Sequence, residues 1–169
     1  MRKIIFFILL SSGTMLAQAQ TLTLSIEIPR LDVAEYHRPY LAVWLENVDS
    51  GDSTNLAVWY DTKLKNREGE KWLKDMRQWW RRSGRGVGMP VDGVSGATRA
   101  PGSHQLTFSS DRGPLSDLPA GRYRLRVEAA REVGGRELLQ MEFDWPASSA
   151  QHFSIKGERE LTAIDVKIE

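Results

Sequence analysis

Leu118-Pro-Ala-Gly-Arg-Tyr-Arg-Leu-Arg-Val-Glu-Ala129 decides the fold class of this chain. Its first four residues are turn formers, with Pro119 fixing its own φ and Gly121 adding backbone freedom. From Arg122 onward the side chains alternate. Tyr123, Leu125 and Val127 fall on one face, and Arg122, Arg124 and Arg126 on the other. A period of two makes this a strand with one face in a core and its arginines pointing out. Val133-Gly-Gly-Arg136 then turns the chain into a partner strand over about 137–143.

The same pattern extends outward. Leu22, Leu24, Ile26 and Ile28 alternate with Thr23, Ser25 and Glu27 until Pro29 ends the run. Residues 40–45 (YLAVWL) and 56–60 (LAVWY) are continuous apolar runs, which predicts strands covered on both faces. Asp49-Ser-Gly-Asp52 suits a hairpin loop between them. Ile164, Val166 and Ile168 make an edge or final strand. Strands at this spacing predict one all-β domain over 20–169, folded as a two-sheet sandwich. The Pro-Ala-Gly-x-Tyr turn resembles those of immunoglobulin-like and transthyretin-like sandwiches, which implies an immunoglobulin-like β-sandwich.

One segment changes period. Over about 68–82 the apolar residues are Trp72, Leu73, Met76, Trp79 and Trp80, the one-sided spacing of an amphipathic helix. Asn66 suits its N-cap and Ser83-Gly84 its stop. Arg77, Arg81 and Arg82 load its last turns. Two readings stay open at this stage. The helix covers one end of the sandwich with its tryptophans in the core, or some of those rings flank a planar ligand with arginines close to an anion.

Composition narrows the function. Hydrophobic residues at 41% and charged residues at 27% describe a folded chain, and six Trp is many for this size. Arg2 and Lys3, the apolar run 4–10 and Ala17-Gln-Ala19 form an export signal with cleavage after about Ala19. The apolar run is too short to span a bilayer, so the mature protein is expected to be periplasmic and not itself membrane-spanning. Its removal drops the basic count from 23 to 21 against 22 acidic residues, a balance that gives no nucleic-acid partner. With no Cys, thiolate catalysis and Cys-ligated metals are excluded. His37, His104 and His152 lack metal-site spacing, so no metal is expected, and no nucleophile–base motif is present. Tyr36-His37-Arg38-Pro39-Tyr40 concentrates polar aromatics; it is the lead-in to a strand, or it lies beside the helix and the loop that follows it.

That loop is VDGVSGATRAPG, residues 91–102. Read from its residues, it is a small-residue surface turn with an Asp cap, or a loop made to enter another enzyme. Asp92-Gly93-Val94-Ser95-Gly96-Ala97-Thr98 resembles the D-x-x-[ST]-G-A-[ST] recognition sequence of the ApbE-type flavin transferases. Those enzymes move the FMN part of FAD onto the final hydroxyl of the motif. Carried over, the resemblance makes Thr98 the covalent FMN acceptor and Asp92, Ser95, Gly96 and Ala97 recognition positions. Five constrained positions occur by chance in roughly one chain in a thousand of this length. Arg99, Arg81, Arg82 and Arg85 are the nearest cations in sequence for the phosphoester, and Trp79 or Trp80 the nearest rings for the flavin. The loop at 91–99 is expected to be accessible and poorly tied down.

A wider resemblance covers nearly all of the mature chain. Residues 27–44 and 91–102 are similar to a family of predicted periplasmic proteins of unknown function, whose members tend to be encoded beside PepSY-type membrane proteins and flavin transferases. It implies a flavoprotein that relays electrons, linked to a PepSY-type membrane reductase or to iron acquisition, rather than a stand-alone enzyme. The alternative is a non-redox periplasmic binding module with the loop on its contact surface.

Overall fold

The computed structural model describes residues 19–169, so the export signal falls, apart from Ala19, outside the described residues. Nine strands are described: β1 (Thr21–Ile28), β2 (Tyr40–Asn47), β3 (Ser53–Tyr60), β4 (Ser95–Ala97), β5 (Gly102–Ser109), β6 (Gly121–Ala130), β7 (Arg136–Trp145), β8 (Gln151–Lys156) and β9 (Ala163–Ile168). They form two sheets, ordered β5-β1-β9-β8 and β4-β3-β2-β6-β7. The expected sandwich is therefore present. All neighbours pair antiparallel except β4, which runs parallel to β3 at the edge of the larger sheet.

The opening segment folds as its pattern requires. Tyr123, Leu125 and Val127 enter the space between the sheets, where they meet Leu22, Leu24 and Ile26 of β1. The Tyr123 hydroxyl donates to the Pro119 carbonyl at 2.8 Å, closing the corner that leads into β6. The smaller sheet shows water its polar face, with Thr23, Ser25 and Glu27 outward. The larger sheet has a second cover, which explains the continuous apolar runs. Leu41, Val43 and Leu45 point to the inter-sheet core, while Ala42 and Trp44 lie in a second cluster with Val58, Leu73, Met76 and Trp79.

The second cluster is roofed by the helical insertion, at the position the apolar spacing indicates but wound differently. Lys65–Asp75 is a 3-10 helix, and only Arg77–Arg82, here α1, is α-helical. Asn66 does not cap it: Asn66 and Arg67 are left-handed at φ 55 and 58, and the segment starts from Leu64 without a side-chain cap. Leu73 of the 3-10 helix, Met76 at the break between the two helices and Trp79 of α1 all enter the core. Gly69 sets the approach, because a Cβ there would stand 1.9 Å from the Asp61 carbonyl oxygen.

The outward arginines of β6 are also partly roofed. Arg126 is buried, and Glu46 of β2 lies 3.5 Å from it, 3.6 Å from Arg124 and 3.7 Å from Arg82. Burial lowers the Arg126 pKa, with Glu46 opposing. Glu128, fully buried on the same strand, accepts the Gln78 and Trp79 amides at 2.9 and 2.8 Å and pairs with Arg136 at 2.8 Å. It thereby satisfies backbone groups that the start of α1 leaves open.

Candidate functional site

The motif closes on itself as a tight turn. The Ser95 amide donates to the Val91 carbonyl at 2.9 Å, and the Ser95 hydroxyl accepts the Val91 amide at 2.8 Å. Gly93 takes the left-handed conformation at φ 69, and its amide donates to the exposed Asp92 carboxylate at 3.0 Å. Ser95, Gly96 and Ala97 then pair with Val58, Trp59 and Tyr60 as β4. Gly96 lets this strand lie on Trp59: a Cβ there would stand 3.2 Å from the indole Cδ1. The Thr98 amide donates to the Tyr60 carbonyl at 3.2 Å. The motif is thus a short edge strand rather than a loosely held loop. It stays accessible, because Asp92, Ala97 and Arg99 are exposed and Thr98 is only half-buried.

Thr98 lies on the wall of a cleft of about 440 Å³ at the end of the sheet where β3 and β6 finish and β2 begins. Five stretches of chain meet there. Tyr36, His37 and Arg38 come from the lead-in to β2, and Lys63 and Leu64 from the chain after β3. Trp72 comes from the 3-10 helix, Ala97 and Thr98 from the end of β4 and the residue after it, and Arg131 and Glu132 from the β6–β7 turn. The volume falls in the range of small-molecule sites. A second cleft, about 740 Å³, adjoins it through Tyr36 and Arg38 and is lined by Leu31, Val33, Ala100 and Pro101.

The wall of the first cleft is rigid on one side. Arg131 and Glu160 make two contacts, at 2.9 and 3.2 Å, and both side chains are buried. The Gly135 amide donates to Glu160 at 2.8 Å. Arg131 in turn sits 5.9 Å from the centre of the Tyr36 ring, a cation–π distance. The Tyr36 hydroxyl is closed to solvent yet has no hydrogen-bond partner among the described residues. An unpaired buried hydroxyl costs about 1–3 kcal/mol. Burial raises the Tyr36 pKa, so the group stays a donor at neutral pH. Tyr40 is raised for the same first reason, with Asp61 hydrogen bonding in opposition. His37 lies between carboxylates, 2.9 Å from Glu35 and 3.6 Å from Glu132.

The residues singled out in the sequence divide into two groups. Asp92, Ser95, Gly96, Ala97 and Thr98 stay together along the motif, and Tyr36-His37-Arg38 lies beside them, which settles that segment's placement. Arg99 also stays close, but stands 5.3 Å over the buried Trp59 ring. The helix residues are elsewhere. Trp79 is fully buried and its indole N–H donates to Asn55 at 2.8 Å, so it is a core ring and not an exposed partner. Trp80 packs against the same cluster, and neither ring lines the clefts beside Thr98. Arg82 meets Glu46, which pairs with Ser53 at the start of β3, whereas Thr98 bonds Tyr60 at its end. That span is roughly 20 Å at strand rise. Arg81 turns back to the Arg77 carbonyl at 3.3 Å, and Arg85 is exposed. Trp72 was legible only as part of the helix, and Arg131 and Lys63 gave no sequence signal.

A family described as "Predicted periplasmic protein (DUF2271)" matches residues 21–163, nearly the whole of the described chain. The chain belongs to this family. The expected periplasmic location agrees with that description. Comparison with curated proteins and with solved structures finds no match. Among the described residues no helix is long and apolar enough to cross a membrane, and no group of three His, Asp or Glu is placed to hold a metal ion.

Proposed function

We propose that this DUF2271 protein carries FMN in phosphoester linkage to Thr98 and serves as a periplasmic electron relay. One observation carries the reading: the threonine that ends a D-x-x-S-G-A-T sequence stands, half-buried, on the wall of a cleft lined by aromatic rings and cations. An ApbE-type transferase would attach the group from FAD. A bond forms between Thr98 Oγ1 and the FMN phosphorus, the pyrophosphate bond breaks, AMP leaves and the hydroxyl proton passes to the transferase. Metal and base belong to that enzyme. The short edge strand β4 is the part of the larger sheet that presents the hydroxyl, with little side-chain bulk before it. Bound flavin supplies the redox chemistry, and the protein supplies position and charge. The electron partner fitting this reading is a PepSY-type membrane reductase, in respiration-linked or iron-acquisition redox traffic.

The experiment is the intact mass of periplasmically produced protein with and without a co-expressed transferase. One added FMN phosphoryl group is expected on wild type and none on Thr98→Ala, with the fold unchanged, since a surface hydroxyl contributes little to the core. The same adduct on Thr98→Ala defeats the assignment. A specific observation favours a second reading. The exposed large hydrophobics Val33, Leu64, Trp72 and Val133 all lie around or next to these clefts, as on a non-redox binding module. Colourless protein from a transferase-competent host would select it.

A further inference from the structure

Trp72 is 42% exposed, although the segment that carries it sends Leu73 and Met76 into the core. It lines the same cleft as Thr98. We infer that this cleft, with Trp72 and Tyr36 as its aromatic walls, is the seat of the flavin's ring system. This inference rests on attachment at Thr98, proposed above, and adds where the ring goes and which residues hold it.

The tether comes first. Ala97 and Thr98 are themselves wall residues, so a group esterified to Thr98 Oγ1 starts at the cleft rather than beside it. The ribityl chain then lets the ring lie along the floor. Shape and chemistry agree with that placement. The cleft holds about 440 Å³ and offers the rings of Tyr36, Tyr40 and Trp72, which suit a flat, largely apolar heterocycle. Tyr36 meets the cleft with its ring rather than its hydroxyl, which is closed to solvent, so it adds an apolar face.

Charge sorts the two ends of the group. Asp61, Asp75 and Glu132 line the cleft, so its interior favours an uncharged ring over a phosphate. Arg131 is already neutralised by Glu160. Arg38 and Lys63 have no carboxylate within ion-pair distance among the described residues, and they are the wall cations left for the phosphoester. The arginines of α1 take no part. Arg82 is at the other end of the sheet, and Trp79 and Trp80 roof the second cluster.

The test uses full-length protein co-produced with a transferase, in wild type, Trp72→Leu, Trp72→Phe, Tyr36→Leu and Trp80→Phe forms. Mass spectrometry locates the adduct; flavin emission and visible circular dichroism locate the ring. With the adduct on Thr98 throughout, Trp72→Leu should raise flavin emission roughly two- to tenfold, the population change from losing one stacked aromatic partner. Trp72→Phe should raise it less. Tyr36→Leu, which removes the second aromatic wall, should also raise it, and Trp80→Phe should leave both signals as in wild type. An intact adduct with wild-type emission and dichroism in the Trp72 and Tyr36 variants overturns the inference and leaves attachment standing. Relief of quenching by Trp80→Phe instead also overturns it. Wild-type protein without an adduct on Thr98 overturns the attachment, and this inference falls with it.

Discussion

Glu160→Gln is the sharpest perturbation of the cleft wall that leaves its shape alone. The amide keeps an oxygen for the Gly135 amide, now 2.8 Å from the carboxylate, and changes little in volume. What it removes is the charge opposite Arg131, whose side chain is 7% exposed. Breaking a buried pair by losing one partner costs about 3–5 kcal/mol, because the remaining ion stays desolvated. Here one hydrogen bond survives and Arg131 borders a cleft that water enters, so about 2–4 kcal/mol is expected. For a domain of this size that lowers Tm by about 4–16 °C. Removing both charges, in Glu160→Gln with Arg131→Met, should recover part of that loss, a coupling of about 1–3 kcal/mol in a double-mutant cycle. The assay is reversible thermal and urea denaturation of the four proteins, followed by far-UV dichroism and tryptophan emission. A Glu160→Gln loss under about 1 kcal/mol, or additive single changes, would refute the view that this pair fixes the wall behind Tyr36.

Two further outcomes bear on the frame around the site. Gly69→Ala should destabilise by about 1–3 kcal/mol or more, because its methyl group meets the Asp61 backbone, and denaturant titration checks it. In Trp72-containing flavinylated protein the same change should also raise flavin emission, since it moves the segment that carries Trp72. Glu142 is held below the ordinary carboxylate range, first by its hydrogen bond from Arg124 and then by Arg124 and Arg122 charge. A lowered folded pKa gives stability that is present above the ordinary carboxylate range and is lost as pH falls through the lowered value. Glu142→Gln should therefore flatten the acid limb of the stability–pH curve and leave the limb above neutrality alone. An unchanged acid limb in urea titrations would remove Glu142 from the account.

The sequence alone indicated β1, β2, β3, β6, β7 and β9 and displayed the D-x-x-S-G-A-T stretch, because both signals are local, whereas β4, β5 and β8 emerge only in the structure. Alternation at 22–28 and 123–129 reports which faces meet a core, and the continuous runs at 40–45 and 56–60 report that both faces are covered. The turn at Pro119-Ala-Gly121 stated its own geometry through residues a few positions apart. Other features depended on partners distant in sequence. The helical segment reads as a regular amphipathic helix until Asp61 is placed against Gly69; the chain then breaks at Met76 and still buries Leu73, Met76 and Trp79. Residues 91–99 read as a free loop until β3 offers an unpaired edge, which Ser95–Ala97 fills. The cleft is the extreme case. Tyr36, Trp72, Thr98 and Arg131 are spread along the chain, and only the packing of β2, β3 and β6 side by side brings their ends together. Sequence proximity pointed to Trp79 and Arg82 as neighbours of Thr98. The sheet placed Arg82 roughly 20 Å away, because a strand carries its two ends apart by about 3.3 Å per residue.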